Sequence, residues 1–596
     1  MPQSTSTLAG NPVIYAVIAV FFLVLIAVGI AFRRSSRDTS DYFRAGGMAK
    51  WWLVGTSLFM SNFSAWTFTG AASAAYHSGF SLTLMFWINV VAYIGPILAT
   101  AGWMRQFRTI TSPDIIRLRF GSTTEQIYSY LSVVTGPVWS ALQLYTLAIF
   151  CSSILGVRVD LAIFVLGVVV LFYAAVSGVW AVLAADFVKC LVVMPISVVL
   201  AFLCLKRLGG VSAMFHRIGD LGLTAVYAPI KSPELAAQIP VATGQFTIMW
   251  FTAWTLNQVI TQNSLSQANK YQSVKDGKEA RMAAGLAAVL MLFGAVIWFI
   301  PPITARLLFE QQVLAMPLKN PAEGAYAVAS MNLLPIGLVG VVLVAVFSAT
   351  MSSLDVGLTG LAGIITQNIY PGICRRLGWQ ERQGAQRLRL GRAVNTCCCG
   401  LIIILAELMN SFSKGGAFGA LLNLMAILGA PFVVPLFWAL FIKRSPPWAA
   451  LASLGCGYLT SAAINLKPSL MGGEAVSWSN QIFFILGSAS LGFLFSCFFY
   501  SEKDQENVAR LEEFFRLRDT PVDFQREIGE GNDARQLRVA GTFGVVMGVL
   551  VALLALVPSS RGFGMVFFSV ASISGGMGAL MLLASFRQKR ETTQLK

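Results

Sequence analysis

Residues 50–77 read KWWLVGTSLFMSNFSAWTFTGAASAAYH. Their apolar character suits a bilayer crossing, which takes about 20 consecutive apolar residues. Yet small and polar residues cut the run at Gly55-Thr-Ser57, at Ser61-Asn-Phe-Ser64 and from Gly70 onward. Bunched at mid-membrane, they let backbone carbonyls turn out of the helix to face a cavity. Such backbone is tolerated at that depth only where protein or a water-lined site surrounds it. The competing reading is close helix packing through small residues.

The rest of the chain agrees with a membrane setting. Of 596 residues, 56% are hydrophobic and 12% charged, about half the charge of an ordinary soluble domain. Asn11 to Phe32 and Val539 to Val557 are further apolar runs. Nine cysteines in so long a chain exclude a disulfide scaffold. The expected fold class is an all-α polytopic membrane protein with about fifteen transmembrane helices. Their expected positions are 11–32, 50–77, 79–102, 124–156, 158–178, 183–205, 243–263, 282–308, 332–367, 392–410, 413–441, 447–465, 478–500, 539–557 and 563–585.

The net charge of +16 would suggest nucleic acid in a soluble protein. Here it reports orientation. With the N-terminus outside, seven segments fall in the cytoplasm, and they hold 32 of the 43 Lys and Arg residues. The outer side holds 10, and Lys189 lies within a span. This is the positive-inside asymmetry, so the C-terminus is expected in the cytoplasm, the membrane is the cell (inner or plasma) membrane, and no nucleic-acid partner is expected. No signal peptide is expected: the first 12 residues lack a basic residue and the apolar run is too long. The segment 501–538 carries mixed charge with Val508, Leu511, Phe514, Phe515 and Leu517 on and around one stripe, and is expected as an amphipathic helix on the inner membrane surface.

A second polar cluster, Ser348-Ala-Thr-Met-Ser352-Ser353-Leu-Asp355, lies inside the ninth span. Hydroxyls and a carboxylate in lipid are costly unless they bind something, and hard oxygen ligands suit a small alkali cation. With His77 and His216 the only histidines, no zinc or copper set exists; Cys397-Cys398-Cys399 point around a helix and read as small hydrophobes. Asp186 and Lys189 have the spacing of a helical ion pair. Glu407 is a further intramembrane acid.

Six ordered motifs resemble the sodium:solute symporter family, which includes the sodium–glucose and sodium–proline cotransporters. Ser40-Asp-Tyr-Phe-Arg-Ala-Gly-Gly is similar to its D-Y-F-x-A-G-R, and Ser61-Asn-Phe-Ser-Ala to its A-N-I-S-A. Ser112-Pro-Asp-Ile-Ile-Arg-Leu-Arg-Phe resembles T-x-P-E-x-x-x-x-R-F. Ser177-Gly-Val-Trp-Ala-Val with Asp186 resembles G-G-x-x-A-V-x-x-T-D. Asn257-Gln-Val-Ile-Thr-Gln and Ser348 to Tyr370 match two more.

The resemblance implies a LeuT-type fold of two inverted five-helix repeats with broken helices at the midplane. It divides the chain into an outside helix and loop (1–49), a first repeat (50–205), an extracellular loop (206–242) and a second repeat (243–441). Two accessory helices (442–500), the amphipathic segment (501–538) and two C-terminal helices with a tail (539–596) follow. It implies a sodium site from the carbonyls of Met60, Phe63 and Ala349 with the hydroxyls of Ser352 and Ser353, sodium being the only metal and no cofactor being needed. Asp186 matches the family's aspartate beneath that site. Asp355, unusual at its position, shares a face with Ser352, so a second cation or shared proton between Asp186 and Asp355 is expected. Lys189 replaces a more common Gln.

For the solute, Trp66-Thr67 stands where sugar-transporting members carry Glu-Gln, and Asn62 where proline-transporting members carry an aspartate. With Ser64, Phe86, Trp139, Gln143, Trp250, Thr252, Trp254, Asn257 and Asn423 the expected wall is aromatic and sparing in hydrogen-bonding groups. It suits an amino acid, organic acid or related solute better than a sugar. The expected function is a sodium-coupled symporter importing such a solute by alternating access. The alternatives are a solute sensor signalling through 501–538 and a proton-coupled transporter in which Lys189 stands in for sodium. An enzyme is not expected, because no nucleophile–base or metal constellation is present.

Overall fold

The computed structural model describes residues 11–33, 45–109, 111–174, 179–240, 243–381, 385–412, 416–471, 476–527, 529, 533–556 and 564–594. Helix α1 (Pro12–Arg33) precedes the broken helix, which runs as α2 (Trp51–Ser61), a single turn (Ala65–Phe68) and α3 (Gly70–Ser78). Next come α4 (Ser81–Ala92), α5 (Ser112–Phe120), α6 (Ser122–Leu155), α7 (Val159–Ala174) and α8 (Val179–Leu208). The second five-helix unit holds α9 (Ile248–Gln262), α10 (Gly277–Leu308), α11 (Ile336–Gly363), α12 (Ala385–Phe412) and a last member split into α13 (Gly416–Leu424) and α14 (Ala430–Phe441). Then follow α15 (Ala449–Met471), α16 (Trp478–Cys497), α17 (Gln505–Asp519), α18 (Asp533–Leu553) and α19 (Gly564–Gln594).

The fold is all-α, as expected. Among the described residues ten helices are long and apolar enough to cross a membrane, and three shorter apolar ones accompany them. The count of fifteen is not confirmed by length and apolarity alone. Part of the reason is physical: the broken helix over 51–78 offers no single long segment, and α9 is only 15 residues long. Turns of π-helix at Ile364–Ile369 and Met425–Gly429 interrupt two further spans, a distortion that recurs at functional sites.

The end of the molecule carrying loops 103–123, 264–281 and 442–446 is called the basic face. Here the amphipathic segment departs from expectation. Helix α17 packs on α5 and on the end of the α4 span, with Leu511, Phe514 and Phe515 buried; its apolar stripe is covered by protein, not by lipid. Phe514 stacks on Phe107 at 4.6 Å, and Arg108 meets Glu527 through two bonds of 2.7 and 2.8 Å. Residues 48–50, before α2, and the start of α18 also meet on this face. Gln536 accepts from the Lys50 amide at 3.0 Å and donates to the Met48 carbonyl at 2.9 Å. Asp533 bridges Lys50 (2.8 Å) and Lys275 (2.6 Å).

The appended hairpin α18–α19 has no room for side chains at its crossing. A Cβ on Gly548 would lie 2.6 Å from the Gly575 backbone, and one on Gly578 2.5 Å from the Val545 amide. Ser574 anchors the pair to α8 through the Leu191 carbonyl at 2.6 Å.

On the opposite, far face hydrogen bonds tie the loop before α11, α13 and the broken helix together. Glu323, in the loop between α10 and α11, is buried and accepts the Ala417 amide at 2.6 Å. Asn320 holds Ser73 of α3 at 3.1 Å, and the Trp66 indole donates to the Ala417 carbonyl at 2.9 Å. Burial pushes the Glu323 carboxyl up to about 7, against the partly opposing bonds from Ala417 and Asn320.

Two outcomes are expected. Gly548→Ile overpacks the hairpin and costs about 1–3 kcal/mol, read as a lower melting temperature in detergent, whereas Gly487→Ala, with open space around it, changes little. Because the folded Glu323 titrates above its unfolded value, its contribution is complete below about pH 4.5 and is lost as pH rises through about 7. Wild type should therefore lose melting temperature relative to Glu323→Gln between pH 5 and 8; parallel curves would contradict this.

Candidate functional site

The chain leaves helical geometry at Asn62, and Ser64 is fully extended (φ −150°, ψ −179°) before the single turn begins. A second kink falls at Thr69 (φ −118°, ψ −81°). In a bilayer the backbone groups freed by such breaks need partners from neighbouring helices. Helix α11 supplies them. Thr350 donates to the Val346 carbonyl and accepts the Ala65 amide at 2.8 Å, and Ser353 donates to the Ser61 carbonyl at 3.4 Å.

These bonds set the break at 61–65 against 350–353 of α11, the two segments that carry the expected cation residues. Met60, Phe63 and Ala349 are fully buried. The Met60 carbonyl accepts a bond of 3.2 Å from Phe63, whereas among the described residues none ends on the Phe63 carbonyl. The side chains of Ser352 and Asp355 lie outside the described residues. One turn away along α2, Ser57 donates to Asp186 at 2.6 Å. Asp186 and Lys189 are both wholly buried, with Nζ 3.7 Å from Oδ1. The helical ion pair read from spacing is present, and it sits beside the broken helix. Glu407 is half-buried on α12 and makes no side-chain hydrogen bond to any of these residues among those described.

An aromatic ladder lines the far-face half. Trp66 stacks on Phe418 (5.9 Å), Phe418 approaches Phe246 (5.8 Å), and Phe246 meets Trp250 (5.0 Å). Trp250 stacks on Trp254 at 5.4 Å, and Trp478 from α16 touches both, at 5.4 and 5.9 Å. Phe418, Phe246 and Trp478 were not expected. The first two sit in motif-poor sequence, and Trp478 belongs to an accessory helix, so only spatial pairing reveals them. Behind the break, Phe63 lies 4.2 Å from Trp298, which Phe86 meets at 6.0 Å.

Polar atoms in this wall are left open. Thr67 Oγ1, Gln143 Oε1, Trp250 Nε1, Trp254 Nε1 and Asn257 Oδ1 are buried, and among the described residues none has a hydrogen-bond partner. Each such atom costs about 1–3 kcal/mol if it stays unpaired, and all five belong to residues expected to touch solute. Ser64 is buried. Asn62 is exposed, its amide donated to Leu58 and Tyr93 at 2.9 Å each. Thr252 is exposed and bonded back to Ile248, on the side of α9 away from Trp250 and Trp254. Asn423 is also exposed; the structure does not join either residue to the ladder by a hydrogen bond. From Asn257 and Trp139 a cavity of about 410 Å³ extends past Thr261 and Gly357 to Ser266 and Gln267 near the basic face.

Comparison with known proteins completes this picture. The chain is 26% identical over 529 residues to pig sodium/glucose cotransporter 1, covering 82% of this chain and 77% of that one. It is 26% identical over 529 residues to mouse solute carrier family 5 member 4B, with the same coverage. Among solved structures, a Na+-coupled sialic acid symporter in a substrate-bound outward-open state superposes with a TM-score of 0.68 at 17% identity, covering 83% of this chain and 99% of that one. That likeness establishes the LeuT-type fold. Members of the family are transporters, not enzymes, with Na+ as coupling ion. The sodium:solute symporter model matches residues 42–457, and the chain belongs to that family of multi-pass, sodium-coupled membrane transporters.

Proposed function

We propose that the protein imports a small amphipathic organic solute, an amino acid or organic acid, driven by sodium through alternating access. The observation that carries this reading is the break at 61–64 facing α11. A bare carbonyl at Phe63, the Met60 and Ala349 carbonyls and the Ser352 and Ser353 hydroxyls make a hard-oxygen set for sodium. Asp186 with Asp355 forms a second cation or proton position, and Lys189 modulates its charge. Each cation that enters with the potential contributes about 2.3 kcal/mol per 100 mV.

The solute sits between the aromatic ladder and the break, against Asn62, Ser64, Trp66, Thr67, Phe86, Gln143, Trp250, Trp254, Asn257 and Asn423. Two indole N–H donors and two amide oxygens left open match a molecule carrying both acceptors and donors, as a zwitterion does. The basic face is cytoplasmic, with the N-terminus outside and the C-terminus inside. On that orientation the hydrogen bonds across the far face and the 410 Å³ cavity support an inward-facing state. A second reading, a sugar as solute, is favoured by the names of the sodium/glucose cotransporters to which the chain is similar.

Uptake of labelled amino acids, organic acids and glucose into proteoliposomes should be sodium-dependent for one class. Ser353→Ala should raise the sodium concentration for half-maximal uptake by about tenfold or more, since a ligand to a charged group contributes about 1.5–3 kcal/mol. Sodium-independent flux, or solute binding without flux, would favour the proton-coupled or sensor alternative. Asp355→Ala should lower the number of cations moved per solute, and unchanged coupling would remove the second cation position.

A further inference from the structure

On the basic face a cavity of about 540 Å³, sharing no lining residue with the 410 Å³ cavity, lies between residues 107–109, α5 and α17. Arg108, Arg117 and Arg510 line it, with Thr109, and Asp114 is the single carboxylate among the described lining residues. That carboxylate is committed locally: one oxygen accepts the Thr111 amide at 3.0 Å and the other the Asn368 amide at 3.3 Å. Arg108 is balanced by Glu527. The other two arginines are less firmly held: Arg510 has only a long ion pair of 3.5 Å to the exposed Glu506. The Arg117 side chain is exposed and, among the described residues, makes no hydrogen bond or ion pair. Arg510 reaches only Glu506 and Asn507, at 3.5 and 3.4 Å, and its Nε is buried without a partner.

A third guanidinium sharpens the imbalance. Arg119 is fully buried behind the cavity, tied to the Ala439 and Ile442 carbonyls and to Ser445, and its Nη1 has no partner. Burial is the main cause that disfavours its charge, and the nearby Arg510 adds to it. The local backbone is shaped to admit this crowding. Gly121 has φ +90°, and a Cβ there would stand 2.6 Å from Arg510 Nη1. Positively charged groups with open donors, gathered from two separate elements, match the geometry that holds phosphate.

We infer that the pocket between α5 and α17 binds a phosphate-bearing anion through Arg117 and Arg510, clamping α17 to the transporter. The phosphate belongs either to an anionic lipid headgroup at the basic membrane surface or to a soluble phosphate. The inference does not rest on the identity of the transported solute.

Hydrogen exchange of α17 tests it, using the full chain in phosphatidylcholine nanodiscs. Three conditions are compared: neutral lipid alone, neutral lipid with phosphatidylglycerol, and neutral lipid with millimolar inorganic phosphate. One addition should slow exchange across 505–519 by about tenfold. Slowing by phosphatidylglycerol alone assigns a lipid, and slowing by inorganic phosphate assigns a soluble anion. Arg117→Gln with Arg510→Gln should abolish the effect, and Arg510→Lys should retain part of it. Arg526→Gln, on an exposed side chain outside the pocket, should leave it intact. If the double variant fails to fold, Arg117→Gln alone, at an exposed position, must still weaken the response. No slowing by either anion, or equal slowing in the Arg117→Gln variant, would overturn the inference.

Discussion

A helix interrupted at the centre of a bilayer leaves backbone groups with no water to turn to, and every such group needs a partner from elsewhere in the chain. The hydroxyl of Thr350 fills that need for Ala65 at 2.8 Å, across 285 positions of sequence. The interruption in the first repeat and the hydroxyl cluster in the second are therefore one construction. Either alone would be a defect. Together they hold a stretch of carbonyl-bearing backbone still beside Ser353, and the aromatic packing of Phe63 on Trp298 fixes the break from the other side.

The same dependence extends to charge. Burying an isolated ion costs several kcal/mol after relaxation, and Ser57 donating to Asp186 with Lys189 beside it offsets part of that cost. These groups connect α2 to α8, and α8 is in turn braced by the glycine-packed hairpin through Ser574 and Leu191. The two C-terminal helices thus support the scaffold helix that carries the buried ion pair, which gives a physical reason for their presence outside the repeats.

Features that depend on near neighbours along the chain are legible in the sequence alone. The breaks at 61–64, the i,i+3 pair of Asp186 and Lys189, and the hydroxyl run at 348–353 announce themselves by residue type and spacing. The charge asymmetry outlines the loops, although the helix count blurs where spans are broken. What escapes a linear reading is pairing between distant segments. Phe418, Phe246 and Trp478 look like ordinary membrane aromatics until they meet Trp66, Trp250 and Trp254. The stripe of α17 reads equally well as membrane-seeking or protein-seeking, because Leu511 and Phe514 are indifferent to which apolar surface covers them. Only the presence of Phe107 and Arg119 beneath it decides. Thr252 fails for the opposite reason: one residue either way on α9 decides between wall and outer surface.

The bond between Lys50 and Gln536 has a consequence for biogenesis. The two residues are 486 positions apart, and at about 5–20 residues per second the second emerges roughly 25–100 s after the first. Throughout that interval the entry to the broken helix lacks its partner. Asp533, which neutralises Lys50 and Lys275, is missing as well. The broken helix must then wait, inserted but unfinished, until residue 536 has been made. Chains that stop short of residue 533 would leave Lys50 and Lys275 without the carboxylate that joins them.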